Sequence, residues 1–226
     1  MTEPGRPADG KLLEQYPRIG LDEAFDFACA GCGDCCRERR DLVLSGLDLY
    51  RLARRLGLPP RIVAGAFCRE EIGPDTLLPA LRLAPKAGTG NCPFLDGGAC
   101  SVHAARPLAC ALYPLGQSID LNTFRVEYYV QTPVCGAKAG GRTLRGVLDD
   151  AGVDERLGTD LRWAAVCSDL SRQLFAAGGA ENLHYRTAVR RIASALYYDY
   201  SLGDEFYPQF CANIQTLQTL LPRILA

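Results

Sequence analysis

The hydrophobic pattern divides the chain into three stretches. From 142 to 226 apolar residues recur at three- and four-residue steps, the period of helices that bury one face. Leu144, Val147, Leu148 and Ala151 mark one short helix, and Trp163, Cys167, Leu170 and Leu174 share a face of a second. Val189, Ile192, Ala193, Leu196 and Tyr197 mark a third. A fourth begins at Asp204 as its cap, tolerates Pro208 in its first turn, and buries Phe206, Phe210, Ile214, Leu217 and Leu221. The same period reappears at 45–57, where Ser45 and Asp48 form an S-x-x-D cap, Leu49, Leu52, Ala53 and Leu56 share a face, and Gly57 is the stop. Pro59-Pro60 open a second short helix over Ile62, Val63, Ala66 and Phe67.

Between 77 and 110 the pattern breaks into short apolar runs separated by glycine-rich turns. Asp96-Gly97-Gly98 stands between two of them and reads as a β-hairpin. Arg106-Pro107 to Tyr113-Pro114 is a short helical turn, and 123–131, where Phe124, Val126, Tyr128 and Val130 alternate with Arg125, Glu127 and Tyr129, is a half-buried strand. Residues 1–24 carry neither period and read as an N-terminal arm, anchored where Phe25 and Phe27 begin. The expected architecture is therefore α+β and predominantly α: a cysteine-rich module over 25–140 with a small β-hairpin, packed against a helical bundle over 141–226.

Composition narrows the function. With 226 residues, 48% hydrophobic and 23% charged, the chain is large enough to bury its own core. A net charge of −1 gives no basic surface for nucleic acid or anionic membrane. No stretch approaches the ~18 apolar residues of a membrane span, and Met1-Thr-Glu-Pro-Gly-Arg lacks a secretory core. A cytoplasmic protein is expected, with neither a nucleic acid nor a membrane partner. Eleven cysteines in a reducing compartment point to metal ligation rather than disulfides.

Their spacing sharpens this. Cys29-Ala-Gly-Cys32-Gly-Asp-Cys35-Cys36 places four thiols in eight residues. A packed core has no use for that spacing. A metal has, because two-residue gaps let a tight turn aim sulfurs and amides at one centre, with Gly31 and Gly33 supplying positive φ. The charged run Arg37-Glu38-Arg39-Arg40 is either a solvated turn or a source of guanidinium groups that offset thiolate charge. Cys68, Cys167 and Cys211 lie on apolar stripes and read as buried thiols.

These residues carry a resemblance. C-x2-C-x2-C-C, then Cys92-Pro-Phe-Leu95, a turn, Cys100-Ser-Val-His103, Arg106-Pro107, Cys110, Tyr113-Pro114 and Cys135-Gly136, resembles the CxxCxxCC cysteine-cluster family of YkgJ-like zinc- or iron-chelating domains. The resemblance implies a ligand set of Cys29, Cys32, Cys35, Cys36, Cys92, Cys100, Cys110 and Cys135. Two positions depart from the pattern: His103 stands where the family often has Tyr, and Ala111 where it has Arg. Related domains occur in flagellin lysine N-methylases, which implies an S-adenosylmethionine-dependent protein methyltransferase as an alternative. No glycine-rich strand-turn-helix fingerprint supports it.

The choice of metal follows from the run. Three cysteines at two-residue gaps suit three corners of an iron–sulfur cube, whereas zinc motifs come as separated C-x2-C pairs. An iron–sulfur cluster, [4Fe–4S], is therefore favoured over zinc. With every coordination position filled by protein the chain would be a structural zinc-binding interaction protein. With one open it would be an enzyme, in which Arg106, His103 and Tyr113 come first for testing. His103 reads as a neighbour of the ligands rather than a ligand, and His184 as a surface or capping residue. Tyr197-Tyr198-Asp199-Tyr200 reads as aromatic packing at a helix end rather than a substrate cleft.

Overall fold

The structure, a computed structural model, describes residues 13–37, 42–133, 136, 138 and 140–226. It is α+β, with 48% of the described residues helical and the described strands gathered into small antiparallel sheets. Helix α1 (Gly46–Leu56) has the capping box expected of it: Asp48 N–H donates to Ser45 Oγ at 3.2 Å and Ser45 N–H to Asp48 Oδ2 at 3.0 Å. Gly57 ends it at φ 67°. Helix α2 (Pro60–Phe67) follows, but it buries Val63 and Ala64 and leaves Ile62 exposed. A one-turn α3 (Leu108–Leu112) lies mid-chain, and α4 (Leu144–Asp150), α5 (Val153–Ala176), α6 (Tyr185–Ala193) and α7 (Phe206–Leu225) fill the C-terminal half. A π-helical turn, Ser194–Tyr198, extends α6.

Strand β1 (Arg18–Ile19) pairs with β8 (Arg125–Val130), which pairs in turn with β7 (Leu115–Asp120). A second sheet has the order β2 (Val43–Leu44), β4 (Pro79–Leu83), β3 (Cys68–Ile72). The hairpin predicted around Asp96 is present as β5 (Leu95–Asp96) and β6 (Ala99–Cys100), with Gly97 and Gly98 at φ 53° and 85°. Those angles are what a two-residue turn demands. Ile19 is buried, so the chain is anchored before Phe25, at Arg18–Ile19, which the expected arm did not anticipate.

Two apolar clusters hold these elements. The larger joins the middle of the chain to the C-terminal helices, Leu49, Leu52, Leu81 and Phe94 with Leu170, Ile192, Phe210 and Ile214. The smaller contains Ile19, Phe25, Phe27, Leu115, Tyr128, Leu144 and Leu148. The Tyr197–Tyr200 run packs: Tyr197 meets Trp163 edge-on with ring centroids 5.4 Å apart, and Tyr200 stacks on Phe206 at 4.7 Å. Two expectations fail. Cys211 is exposed. Helix α7 is entered at Glu205 with no side-chain cap, and Asp204 instead gives its carbonyl to the Tyr50 hydroxyl. Among the described residues no helix is long and apolar enough to cross a membrane.

Candidate metal centre

Three segments converge on one small cavity of about 60 Å³. The first is the cysteine run. Phe25 and Phe27 bury their rings, and Phe27 meets Tyr113 at 5.9 Å, which fixes the approach to Cys29. Gly33 then turns at φ 73° into a 3₁₀ turn, Asp34–Cys36. A Cβ on Gly33 would fall 2.4 Å from the Gly98 carbonyl oxygen and 2.7 Å from Leu95, so only glycine lets the run lie on the β5–β6 hairpin. Gly31, at φ 67°, has open space where its Cβ would be.

The second segment is the hairpin itself. Cys92 stands at its entrance, donating its N–H to the Cys36 carbonyl at 2.8 Å and accepting at its own carbonyl from Leu95 N–H at 3.1 Å. Cys100 is the last residue of β6. The third segment is a 3₁₀ turn, His103–Ala105, followed by Arg106, Pro107 and α3, which carries Cys110. Cys29, Cys35, Cys36, Cys92, Cys100 and Cys110 all line the cavity, with Phe94, Val102 and Leu83 as its apolar wall. Six of the eight expected ligands thus face one space. Cys32 is exposed and is not part of the lining, and Cys135 lies outside the described residues. Gly136, the next residue, packs so tightly on Phe27 that a Cβ there would fall 2.1 Å from the ring.

The protons on these thiols are unevenly held. Cys36 is pulled down by a hydrogen bond with Cys35, but one with Cys92, together with burial, outweighs it and pushes the thiol up to about 11. Cys92 is held below the ordinary thiol value by the same bond with Cys36. Burial pushes Cys100 up. Burial, then the adjacent Arg106, lowers His103, which is neutral at pH 7. Its Nε2 lies 2.6 Å from an Arg106 nitrogen and 4.0 Å from the Cys29 sulfur. His103 thus sits beside the thiols and Arg106, and among the described residues Arg106 is the one guanidinium in the cavity lining. Arg37 pairs with Asp34 on the surface at 3.2 Å, and Glu38, Arg39 and Arg40 lie outside the described residues.

The donor set fits a soft metal. Among the described residues the cavity wall contains six thiols and no carboxylate, the ligand chemistry of zinc and of iron–sulfur clusters rather than of magnesium or calcium. Among those same residues, no three thiols, imidazoles or carboxylates are drawn together as closely as one ion requires. Cys68 and Cys167 are not in the lining, and burial pushes both thiols up to about 12. His184 is exposed at the start of α6 and makes no cap bond.

One residue of the site was hidden in the sequence. Asp48 caps α1, but its Oδ1 also accepts the Leu108 N–H at 3.0 Å, the first amide of α3, and lies 2.8 Å from Arg156. Arg156 in turn grips Asp160 through two nitrogens at 2.6 and 2.9 Å. Sixty residues separate Asp48 from Leu108, and no spacing rule connects them.

Residues 28–136 match the model of the CxxCxxCC family, described as "Putative zinc- or iron-chelating domain". No curated protein and no solved structure matches the chain.

Proposed function

We propose that the CxxCxxCC-like region holds an iron–sulfur cluster, [4Fe–4S], in the thiol cavity, its four ligands drawn from the set Cys29, Cys32, Cys35, Cys36, Cys92, Cys100, Cys110 and Cys135, with the remaining thiols as neighbours of the ligands, redox partners or a second site. The observation that carries the reading is the gathering of six cysteines from three separate segments around one cavity. Nothing in core packing requires it. Zinc and a [4Fe–4S] cube each take four protein thiolates, so the preference for the cube rests on the C-x2-C-x2-C run, which suits three of its corners. Cys32 stands between Gly31 and Gly33, which both line the cavity, and Gly136 on Phe27 supports bringing Cys135 to the cysteine run.

In this reading each segment has a task. The Gly33 turn and the hairpin hold their thiols at a fixed separation, Arg106 offsets thiolate charge, and neutral His103 supplies a hydrogen-bonding ring at the rim. When bound, the cluster supplies a redox-active or Lewis-acidic iron. Gathering thiols from three segments on one centre would make binding free energy also folding free energy. The reduced thiols this demands fit a cytoplasmic protein.

Zinc is the second reading, supported by the family's chelating description. It makes the domain a structural module for a protein partner. Methyl transfer with S-adenosylmethionine remains an alternative that no specific observation favours. Anaerobic purification with iron, zinc and acid-labile sulfide analysis separates these. Brown protein with iron and sulfide in matching amounts is expected. Colourless protein with stoichiometric zinc and no sulfide would replace the cluster with the zinc reading.

A further inference from the structure

A second and larger cavity, about 590 Å³, lies between the two three-stranded sheets; it shares no cysteine with the thiol cavity, and Cys167 is the one cysteine among its described lining residues. Its apolar wall includes Leu44, Leu78, Leu108, Leu112, Trp163 and Tyr197. Its volume falls in the range of ligand sites. Two features define what it takes.

The first is a strand edge with no described strand beside it. Strand β7 is the outer strand of its sheet among the described residues, and Leu115, Gly116 and Gln117 line the cavity, with the Leu13 side chain 2.3 Å from where a Cβ on Gly116 would be. Gln131 N–H donates to the Pro114 carbonyl at 3.0 Å, and the antiparallel register runs on from there, Leu115 opposite Val130 and Gln117 opposite Tyr128. Alternate residues of an antiparallel pair turn their backbone groups outward. Gly116 therefore bonds toward β8, while Leu115 and Gln117 present N–H and C=O to the cavity. Among the described residues no backbone hydrogen bond meets them there. The facing strand cannot serve in the same way: Pro79 of β4 has no N–H, and its carbonyl accepts the Tyr197 hydroxyl at 3.4 Å. Two outward backbone pairs two residues apart match the repeat of an extended peptide.

The second feature is charge. Among the described residues the lining contains no Lys, Arg or His, and its one carboxylate, Asp48, is already paired with Arg156 at 2.8 Å. The edge from Leu115 to Ile119 is also uncharged and carries none of the lysines or prolines that usually protect a free strand. Anionic and cationic ligands find no partner here.

We propose that this cleft binds an uncharged peptide segment in extended conformation, which adds as a fourth strand along the open edge of β7 and places an apolar side chain against Trp163 and Tyr197. Helix α3 is the wall it shares with the thiol cavity: Cys110 lines one side, Leu108 and Leu112 the other.

The test follows amide exchange and chemical shifts of the labelled full chain as the capped peptide Ac-Thr-Val-Thr-Leu-Thr-NH2 is added. Saturable binding is expected, with exchange at Leu115 and Gln117 slowed at least about tenfold, the equivalent of ~1.4 kcal/mol. Ac-Thr-Glu-Thr-Glu-Thr-NH2 should not bind. A probe N-methylated at alternate residues, in either register, should lose binding. So should Gln117→Pro, which removes an amide that the β7–β8 ladder does not use. Absence of saturable binding, or binding indifferent to N-methylation, overturns the proposal. So does protection of both amides in the free chain that disappears when residues 1–12 are deleted, or that rises with protein concentration. Those outcomes would assign the edge to the chain's own N-terminus or to a second copy.

Discussion

At the scale of single residues, the two glycines of the cysteine run make a controlled comparison. Both need positive φ, which costs a side chain roughly 1–2 kcal/mol. Only Gly33 also abuts the hairpin backbone, 2.4 Å from where its Cβ would be. Gly31→Ala should therefore cost about that strain and keep the metal, whereas Gly33→Ala should cost more and lower metal content, read by urea unfolding and elemental analysis. The thiols divide in the same way. Cys29, Cys35 and Cys36 were legible because four thiols at that spacing have no packing explanation. Cys211 was misread because it follows Phe210. Adjacent residues on a helix point about 100° apart, so Phe210 joins the buried stripe of α7 while Cys211 faces out. His103 was legible only as a neighbour of Cys100. Its contact with Arg106 depends on the 3₁₀ turn that brings residues 103 and 106 together.

At the scale of elements, long periods were readable and short strands were not. Helices α1, α5 and α7 show their buried stripes in sequence. Strand β3, Cys68-Arg-Glu-Glu-Ile72, shows no alternation because it is an edge strand with no fully buried residue. Strands β1 and β2 have two residues each, too few for any period. The placement of α3 is likewise tertiary, set by Asp48 and Arg156. Asp48→Ala removes the Asp48 half of the α1 capping box, the acceptor for Leu108 N–H and one carboxylate of a buried ion network, in which Asp48 and Arg156 are each 4% exposed. Loss of on the order of 3 kcal/mol is expected from urea unfolding. Asp48→Asn has one acceptor oxygen in place of two; with that oxygen on Leu108 N–H its NH2 group faces Ser45 N–H, so it should lose stability at the α1 cap and in the ion network but hold α3 and retain metal. Loss of metal in Asp48→Asn equal to that in Asp48→Ala would show that the charge, not the α3 contact, matters.

At the scale of the whole molecule, the cysteine segments and the C-terminal helices share the larger apolar cluster, with Phe94 and Leu95 packed in one body with Leu170, Ile192 and Phe210. A metal that closes the loop over the hairpin therefore acts on the main core. Stripping it should lower the thermal midpoint of the full chain, checked by calorimetry before and after chelation, and increase amide exchange first in residues 29–36. The ordinary core was readable from hydrophobic period. The convergence of Cys36, Cys92 and Cys110 was not, because it rests on the 2.8 Å Cys36–Cys92 backbone bond and on the seat of α3. The most direct test of the central claim is the metal content of folded single variants purified without oxygen. Cys29→Ser, Cys36→Ser and Cys100→Ser should each lose most of the metal with their helical circular dichroism retained, while Cys68→Ser and Cys167→Ser keep it. Full metal content in all three cavity variants would contradict the thiol cavity as the metal centre.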